Sequence, residues 1–410
     1  QSLKSVKILH TSDWHLGHEL SGHSREAEHD AFLAWLLDEL EEQACDVLLV
    51  TGDLYDMANP PVSAQQRLYA FIANARNRLR HLQIIMIGGN HDSALRIDLP
   101  GALVDERVYL VGGLPKKNRQ PDFERICIPL ENSEGRVAAW LGAIPFCRPG
   151  DLGKESLEEL YAETTRQLLA RANGLPIVLT GHLHVAGGDV SELSERRIVI
   201  GGEEAHAASL FSADVTYGAL GHLHRPQQIA GPSLVRYAGS PFPLSVTERN
   251  YKHSVTLVTL TPGTPVVQEL LIPRAVPFLR IPNGAPRCLD DVVKELEALP
   301  VETLPRDQQP FLEVSVLMET AEPHLQARIL NALEGKSVRL TRINRVVQQS
   351  GHLGSLADQR QELADLQPEK VFAALHERKY ATSPDAALER AFAELLLLAE
   401  TADPTLSKAD

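Results

Sequence analysis

The sequence predicts an α/β fold, in which a sandwich of β-sheets is flanked by helices, followed by a small α+β domain and a helical C-terminal segment. Continuous apolar runs alternate with amphipathic stretches of helical length over residues 6–261. Prolines then crowd residues 262–286, which indicates a domain boundary. We therefore expect three segments, 1–272, 273–350 and 351–410.

The first segment opens with a βαβαβ pattern. Short apolar runs without alternation are typical of strands buried on both faces, and the stretches between them have the period of amphipathic helices. These elements are expected at Val6–Leu9, Arg25–Glu42, Val47–Val50, Ser63–Leu79 and Ile84–Ile87. Further strands and one helix are expected at Val108–Val111, Val137–Ile144, Glu155–Ala172, Ile177–Leu179, Ile198–Ile200, Leu234–Ala238 and Val255–Leu260.

The pattern after the prolines predicts a small α+β domain and then helices. Helix-like and strand-like stretches alternate at Leu289–Leu299, Phe311–Leu317, Pro323–Leu333 and Val338–Val347. The tail over 355–398 is helical in pattern, and its last helix carries the apolar run Leu395–Leu398. An apolar run of that kind on a terminal helix indicates that another surface covers it.

Charge and composition narrow the class of protein. The net charge of −14 argues against a general nucleic-acid coat protein, because phosphate affinity usually comes from a basic surface. No apolar run approaches the roughly 20 residues of a membrane span, and no export signal is apparent. The cysteines form no CxxC pair, and Cys45 and Cys127 are expected to be buried free thiols. A cytoplasmic protein is expected.

Metal-ligating residue types stand at the ends of successive apolar runs. Sites in α/β folds form at the carboxyl ends of strands, so these residues are expected to converge. Each motif alone has a structural explanation; Asn-His-Asp, for example, is also a turn sequence. Their conjunction favours a metal site, with predicted ligands Asp13, His15, Asp53, Asn90, His182, His222 and His224.

The ligand types suit two divalent cations that share the carboxylate of Asp53 as a bridge. The other ligands are expected to divide into two sets, Asp13, His15 and His224 in one and Asn90, His182 and His222 in the other. Mixed imidazole and oxygen ligands favour Mn²⁺, Fe or Zn²⁺ over Mg²⁺. Two such cations acidify a bound water and hold phosphate oxygens, which predicts phosphoester hydrolysis.

Two residues beside the ligands are candidates for catalysis. His91 follows Asn90 and is the predicted general acid for the leaving alkoxide, or the group that stabilises charge in the transition state. Asp92 is expected to orient its imidazole. His184 is left outside the ligand set.

These motifs resemble those of the calcineurin-like metallophosphoesterase superfamily, whose pattern of Asp-x-His, Gly-Asp, Gly-Asn-His-Asp, Gly-His and Gly-His-x-His is complete here. The resemblance implies a four-layer α/β/β/α sandwich. The sequences ILHTSDWHLG at 8–17, ALGHLHR at 219–225 and YAGSP at 237–241 are also similar to the bacterial SbcD nucleases.

Similarity to the SbcD nucleases implies Mn²⁺-dependent cutting of double-stranded DNA, as a 3′-to-5′ exonuclease and as an endonuclease at hairpins and blocked ends. It also implies the SbcC ATPase as a partner gripped by the C-terminal helices, a homodimer formed through the early helices, a capping domain and association with the nucleoid. Archaeal and eukaryotic relatives carry a second catalytic histidine three residues after the bridging aspartate. This chain has Asp56 there, and no catalytic role is expected of it.

Two other classes of function stay open. A small-molecule phosphodiesterase or phosphoprotein phosphatase would use the same metal site, although a proline-marked second domain and an apolar tail are unusual for that class. A non-catalytic scaffold on this fold would have lost ligands, and none is missing here.

Overall fold

The computed structural model describes residues 5–191, 205–318 and 322–347, together with four single positions in the tail. The chain divides into two compact units, Gln1–Val347 and Gln348–Asp410. The predicted run Ile198–Ile200 and the tail segment lie outside the described residues, apart from those four positions. The four described positions of the tail, all of them helical, are Phe372, His376, Leu388 and Phe392.

The first unit contains both α-helices and β-strands. The strands in the described ranges are β1 Val6–Thr11, β2 Glu19–Leu20, β3 His23–Ser24, β4 Val47–Thr51, β5 Gln83–Ile87, β6 Val108–Val111, β7 Lys116–Lys117, β8 Gln120–Pro121, β9 Cys127–Glu131, β10 Val137–Gly142, β11 Ile177–His182, β12 Tyr217–Gly221, β13 Gln227–Ile229, β14 Val235–Tyr237, β15 Ser254–Leu260, β16 Val266–Leu271, β17 Phe278–Ile281, β18 Phe311–Met318 and β19 Arg339–Val347. The α-helices there are α1 Glu26–Glu42, α2 Val62–Arg78, α3 Ala94–Asp98, α4 Phe123–Ile126, α5 Pro149–Leu152, α6 Leu157–Ala172, α7 Leu289–Glu297 and α8 Leu325–Ala332.

Two six-stranded sheets form the sandwich, in the orders β16-β15-β1-β4-β5-β6 and β13-β14-β12-β11-β10-β9. Their inner faces meet in one apolar core, to which Ile8 and Leu49 contribute from the first sheet and Val178 and Ala219 from the second. Helices α1, α2 and α3 cover the outer face of the first sheet, and α6 covers that of the second. The predicted α/β/β/α order is confirmed.

Burial on both faces explains why the strands were recognisable. Each residue of β4 and β5 is buried, which agrees with apolar runs that do not alternate. Two strands within the proline-rich stretch were not predicted, β16 and β17. β16 is an edge strand with several exposed residues, so its sequence lacks the apolar signature of a central strand.

A second, smaller layer follows the sandwich within the same unit. Strands β17, β18 and β19 form a three-stranded parallel sheet, and α7 and α8 pack against it around Val292, Val314 and Ile329. The buried guanidinium of Arg25 lies between the rings of Phe242 and Phe311, 4.7 and 4.8 Å from their centroids. This contact joins the start of α1 to the smaller sheet.

Two further sequence expectations concern thiols and membranes. Cys45 and Cys127 are buried free thiols, as predicted, and burial raises their pKa values to about 12 and 11. Among the helices in the described ranges, none has both the length and the apolar character needed to cross a membrane.

Candidate metal centre

The strands bring all the predicted ligands to one edge of the sandwich. β1, β4 and β5 run parallel in the first sheet, and β11 and β12 run parallel in the second. Their carboxyl ends therefore share an edge in each sheet. The residues in or just after those ends are Asp13, His15, Asp53, Asn90, His182, His222 and His224.

The first predicted set, Asp13, His15 and His224, forms a compact buried cluster. One potential ligand atom from each side chain lies within 4.8 Å of the other two. The rings of the two histidines are 5.3 Å apart between centroids, in an edge-to-face arrangement. These side chains can therefore hold one ion together.

The second predicted set meets around the side-chain oxygen of Asn90. Asn90 Oδ1 lies 2.9 Å from His182 Nε2 and 3.2 Å from His222 Nδ1. The two imidazole rings are 5.2 Å apart between centroids. An amide oxygen and two ring nitrogens thus point to one place.

Asp53 lies between the two sets. Its Oδ2 atom is 3.5 Å from His15 Nε2 in the first set and 3.3 Å from His182 Nε2 in the second. Asp53 also joins Asp13 and His182 in a cluster whose ligand atoms lie within 4.8 Å of one another. Its position is the one that a bridging carboxylate requires.

The buried charges fit divalent cations. Burial raises the pKa of the Asp13 carboxyl. Burial alone would lower the pKa of His182, but the carboxylates of Asp53 and Asp13 and the Thr51 carbonyl oxygen together raise that pKa to about 9. Within the described ranges, His15 Nε2 is buried without a hydrogen-bond partner. Carboxylates, imidazoles and an amide oxygen at this spacing suit transition-metal ions.

The backbone is strained where the ligands leave their strands. Asp13, His15, Asp53 and His222 have positive φ angles of 52°, 46°, 49° and 105°. Such conformations cost on the order of 1–3 kcal/mol each in residues other than glycine and cluster at functional sites. A Cβ on Gly89 would lie 2.1 Å from Asp53 Oδ1, so only glycine allows this approach.

Comparison with known proteins agrees with this geometry. The family model described as "Calcineurin-like phosphoesterase" matches residues 6–226, more than half of the chain, and "Type 5 capsule protein repressor C-terminal domain" matches residues 274–380. The SbcD component of the nuclease SbcCD from Rhodobacter capsulatus is 38% identical over 90% of this chain and 94% of that protein. The chain belongs to the SbcD family of calcineurin-like phosphoesterases.

Other SbcD proteins show comparable similarity. The protein of the same name from Escherichia coli K12 is 32% identical over 90% of this chain and 92% of its own length. The one from Bacillus subtilis strain 168 is 34% identical over 67% of this chain and 72% of its own length. Membership of the SbcD family identifies a metal-dependent phosphodiesterase of the nuclease type.

Three residues that support the proposed ligands were not predicted to act on them. His15 Nδ1 lies 3.1 Å from Asp56 Oδ1, and His224 Nδ1 lies 2.9 Å from Glu248 Oε1. His182 Nδ1 donates to the carbonyl oxygen of Thr51 at 2.8 Å. Such contacts fix the tautomer and direction of a metal-binding histidine. The sequence signals them weakly, because only Asp56 and Thr51 lie next to a motif.

The expected role of Asp92 was wrong. Its carboxylate accepts hydrogen bonds from the backbone N–H groups of Gly89, Leu54 and Tyr55, at 2.8, 3.1 and 2.9 Å. The ring of His91 is instead oriented by its Nδ1, which donates to the carbonyl oxygen of Asp56 at 2.8 Å. Asp92 therefore holds two ligand-bearing loops together. Among the described residues, its carboxylate makes no hydrogen bond to the His91 imidazole.

His184, which was not expected to be a ligand, lies at the rim. It is partly exposed, and burial lowers its pKa. Its carbonyl oxygen accepts a hydrogen bond from the N–H of His206 at 2.9 Å. Among the described residues it belongs to none of the clusters compact enough for a metal.

We predict that Asp56→Asn and Glu248→Gln each weaken Mn²⁺ binding about 10- to 100-fold, because the histidine behind each loses its carboxylate partner. Isothermal titration calorimetry measures the change. Glu163→Gln is the matched control, since Glu163 pairs with Arg166 on the exposed face of α6. Unchanged affinity in both variants would show that the two carboxylates do not support the ligands.

Proposed function

We propose that this chain is the nuclease subunit of an ATP-dependent DNA repair complex, in which it hydrolyses double-stranded DNA with two divalent ions, preferably Mn²⁺. The observation that carries the proposal is the convergence of seven metal-ligating side chains on one edge, with Asp53 between two sets. The names of the SbcD relatives support a nuclease. Exonuclease action 3′ to 5′, cutting at hairpins and blocked ends, and a cytoplasmic, nucleoid-bound location are part of the proposal.

The residues of the chain divide the work of phosphodiester hydrolysis. When bound, the two cations supply an acidified water and hold the phosphate oxygens. The Asp53 carboxylate would hold both cations, and the buried histidines of the two sets would each hold one of them. His91 has its Nδ1 engaged with a carbonyl oxygen, which leaves Nε2 as the ring atom that can give a proton to the leaving oxygen.

We predict that His91→Ala lowers the rate of cleavage of linear duplex DNA by about 10²–10⁴-fold, the range typical of a general acid or base. Mn²⁺ affinity should stay within about threefold of wild type, because His91 is not among the proposed ligands. His324→Ala, at an exposed histidine just before α8, is the control.

Retention of full activity by His91→Ala would exclude it as the acid. Hydrolysis of cyclic nucleotides or phosphopeptides by the wild type, with DNA left intact even in the presence of SbcC and ATP, would overturn the nuclease proposal. Either alternative substrate would then identify the small-molecule or phosphoprotein class.

The proposed partner is the SbcC ATPase, bound by the C-terminal helices. The apolar run Leu395–Leu398 and a family-model match that extends to residue 380 support a partner surface in this region. We predict that deleting residues 355–410 abolishes copurification with SbcC while Mn²⁺ binding stays intact. Persistence of the complex after the deletion would contradict this assignment.

We also propose a homodimer formed through the early helices. Leu95, Leu99 and Leu103 are 80%, 80% and 90% exposed at a spacing of four residues. The last two line a groove of about 600 Å³ with Tyr69 and Ile72 of α2. A second copy, which carries the same leucines and the same groove, is complementary to it, as a twofold interface requires.

We predict that Leu99→Glu combined with Leu103→Glu converts the dimer to a monomer in sedimentation equilibrium, because buried carboxylates would lack partners. Leu169→Glu, at a half-exposed leucine of α6, should leave the dimer unchanged. A dimer that survives the double substitution would place the interface elsewhere.

A further inference from the structure

The loop after β10 is fixed to both sheets beside the metal centre. Ile144 N donates to Thr180 Oγ1 of β11 at 2.8 Å. Phe146 N donates to the carbonyl oxygen of Gly88, just after β5, at 2.9 Å. The loop therefore crosses the edge where the ligands converge, and its position there is set by hydrogen bonds to each sheet.

Arg148, at the end of that loop, places a guanidinium beside a proposed ligand. Its Nη2 lies 3.4 Å from the backbone oxygen of Asn90, and its Cζ lies 5.3 Å from the centroid of the Phe146 ring. The side-chain oxygen of Asn90 is 2.9 Å from His182 Nε2. The positive group thus lies beside the second set of ligands, and Arg148 is exposed to solvent.

Among the described residues, the Arg148 guanidinium forms no ion pair with a carboxylate. Other arginines near the motifs pair with carboxylates: Arg25 with Glu28, Arg67 with Glu26 and Asp30, and Arg225 with Asp189. Across the part of the chain that the structure describes, no carboxylate lies within ion-pair distance of the Arg148 guanidinium. An uncommitted cation at the mouth of a site is available to an anionic substrate.

A polynucleotide carries a second phosphate that the Arg148 guanidinium can bind, whereas a single phosphodiester does not. The chain carries a net charge of −14, so its surface repels a polyanion except where cations are concentrated. Arginine matches phosphate oxygens with its planar fork of donors, and stacking on an aromatic ring restricts the side chain before binding. A single phosphodiester fills the metal centre alone, whereas a DNA strand brings a further phosphate about every 3.4 Å along the helix axis.

We propose that Arg148 binds the phosphate that flanks the scissile one, and that it thereby selects polynucleotides over single phosphodiesters. The proposal rests on the proposed nuclease function. Arg148 touches substrate through this flanking phosphate and holds no metal ligand side chain. Its contribution therefore appears with DNA and is absent with a substrate that has only one phosphate.

The test compares two substrates in the full-length protein with Mn²⁺. Arg148→Ala should lower kcat/KM on duplex DNA about 10- to 100-fold, mainly through KM, and Arg148→Lys should restore part of it. The slope of log Kd for DNA against log salt concentration should decrease by about one, which corresponds to the loss of one phosphate contact. Hydrolysis of bis(4-nitrophenyl) phosphate and Mn²⁺ affinity should stay at wild-type values. Arg166→Ala, on the exposed face of α6, is the control.

Two results would overturn the assignment. Equal losses on DNA and on bis(4-nitrophenyl) phosphate would show that Arg148 positions Asn90 and not a flanking phosphate. No loss on DNA, with an active wild type, would show that Arg148 does not contact the strand. If the wild type instead hydrolyses bis(4-nitrophenyl) phosphate and leaves DNA intact, the nuclease function itself fails.

Discussion

The burial of two carboxylates beside imidazoles is the constraint on which the metal centre depends. Asp13 and Asp53 are almost completely shielded from solvent, and a buried carboxylate without compensation costs several kcal/mol. Part of the compensation comes from histidine, since the Asp53 and Asp13 carboxylates and the Thr51 carbonyl oxygen together raise the pKa of His182 to about 9 against the effect of burial. Divalent cations bound at the proposed site would compensate both carboxylates at once. The strained ligand backbones and the paired sheet edges are arrangements that serve this one cluster.

Much of the fold followed from patterns that are local in the chain. Strands such as β4 and β5 are buried on both faces, so their apolar runs were sufficient to identify them, and α1 and α2 begin and end within one residue of the expected limits. β16 and β17 were missed for a physical reason. An edge strand and a strand of a small sheet are half-covered, and prolines around them give the signal of a boundary.

In the candidate site, too, some residues could be predicted from local sequence patterns and others could not. The proposed ligands lie in or directly after strands. Because each motif adjoins a recognisable apolar run, the sequence was sufficient to predict that all of them meet at one edge. The residues that support these ligands reach them through hydrogen bonds between distant parts of the chain. Glu248, in a short 3-10 helix 24 residues further along the chain, contacts His224, and the Asp92 carboxylate accepts hydrogen bonds from three backbone N–H groups. Arg148 lies beside the site because the hydrogen bond from Phe146 N to the carbonyl oxygen of Gly88 fixes its loop to the opposite sheet. Such pairings need tertiary structure.

We propose that one edge of the sandwich holds two cations bridged by Asp53. Anomalous diffraction from crystals of the chain soaked in Mn²⁺ tests it most directly. We expect two peaks roughly 3.5–4 Å apart, with Asp53 between them. The first should also contact Asp13, His15 and His224, and the second Asn90, His182 and His222. A single peak, or peaks that Asp53 does not contact, would contradict it.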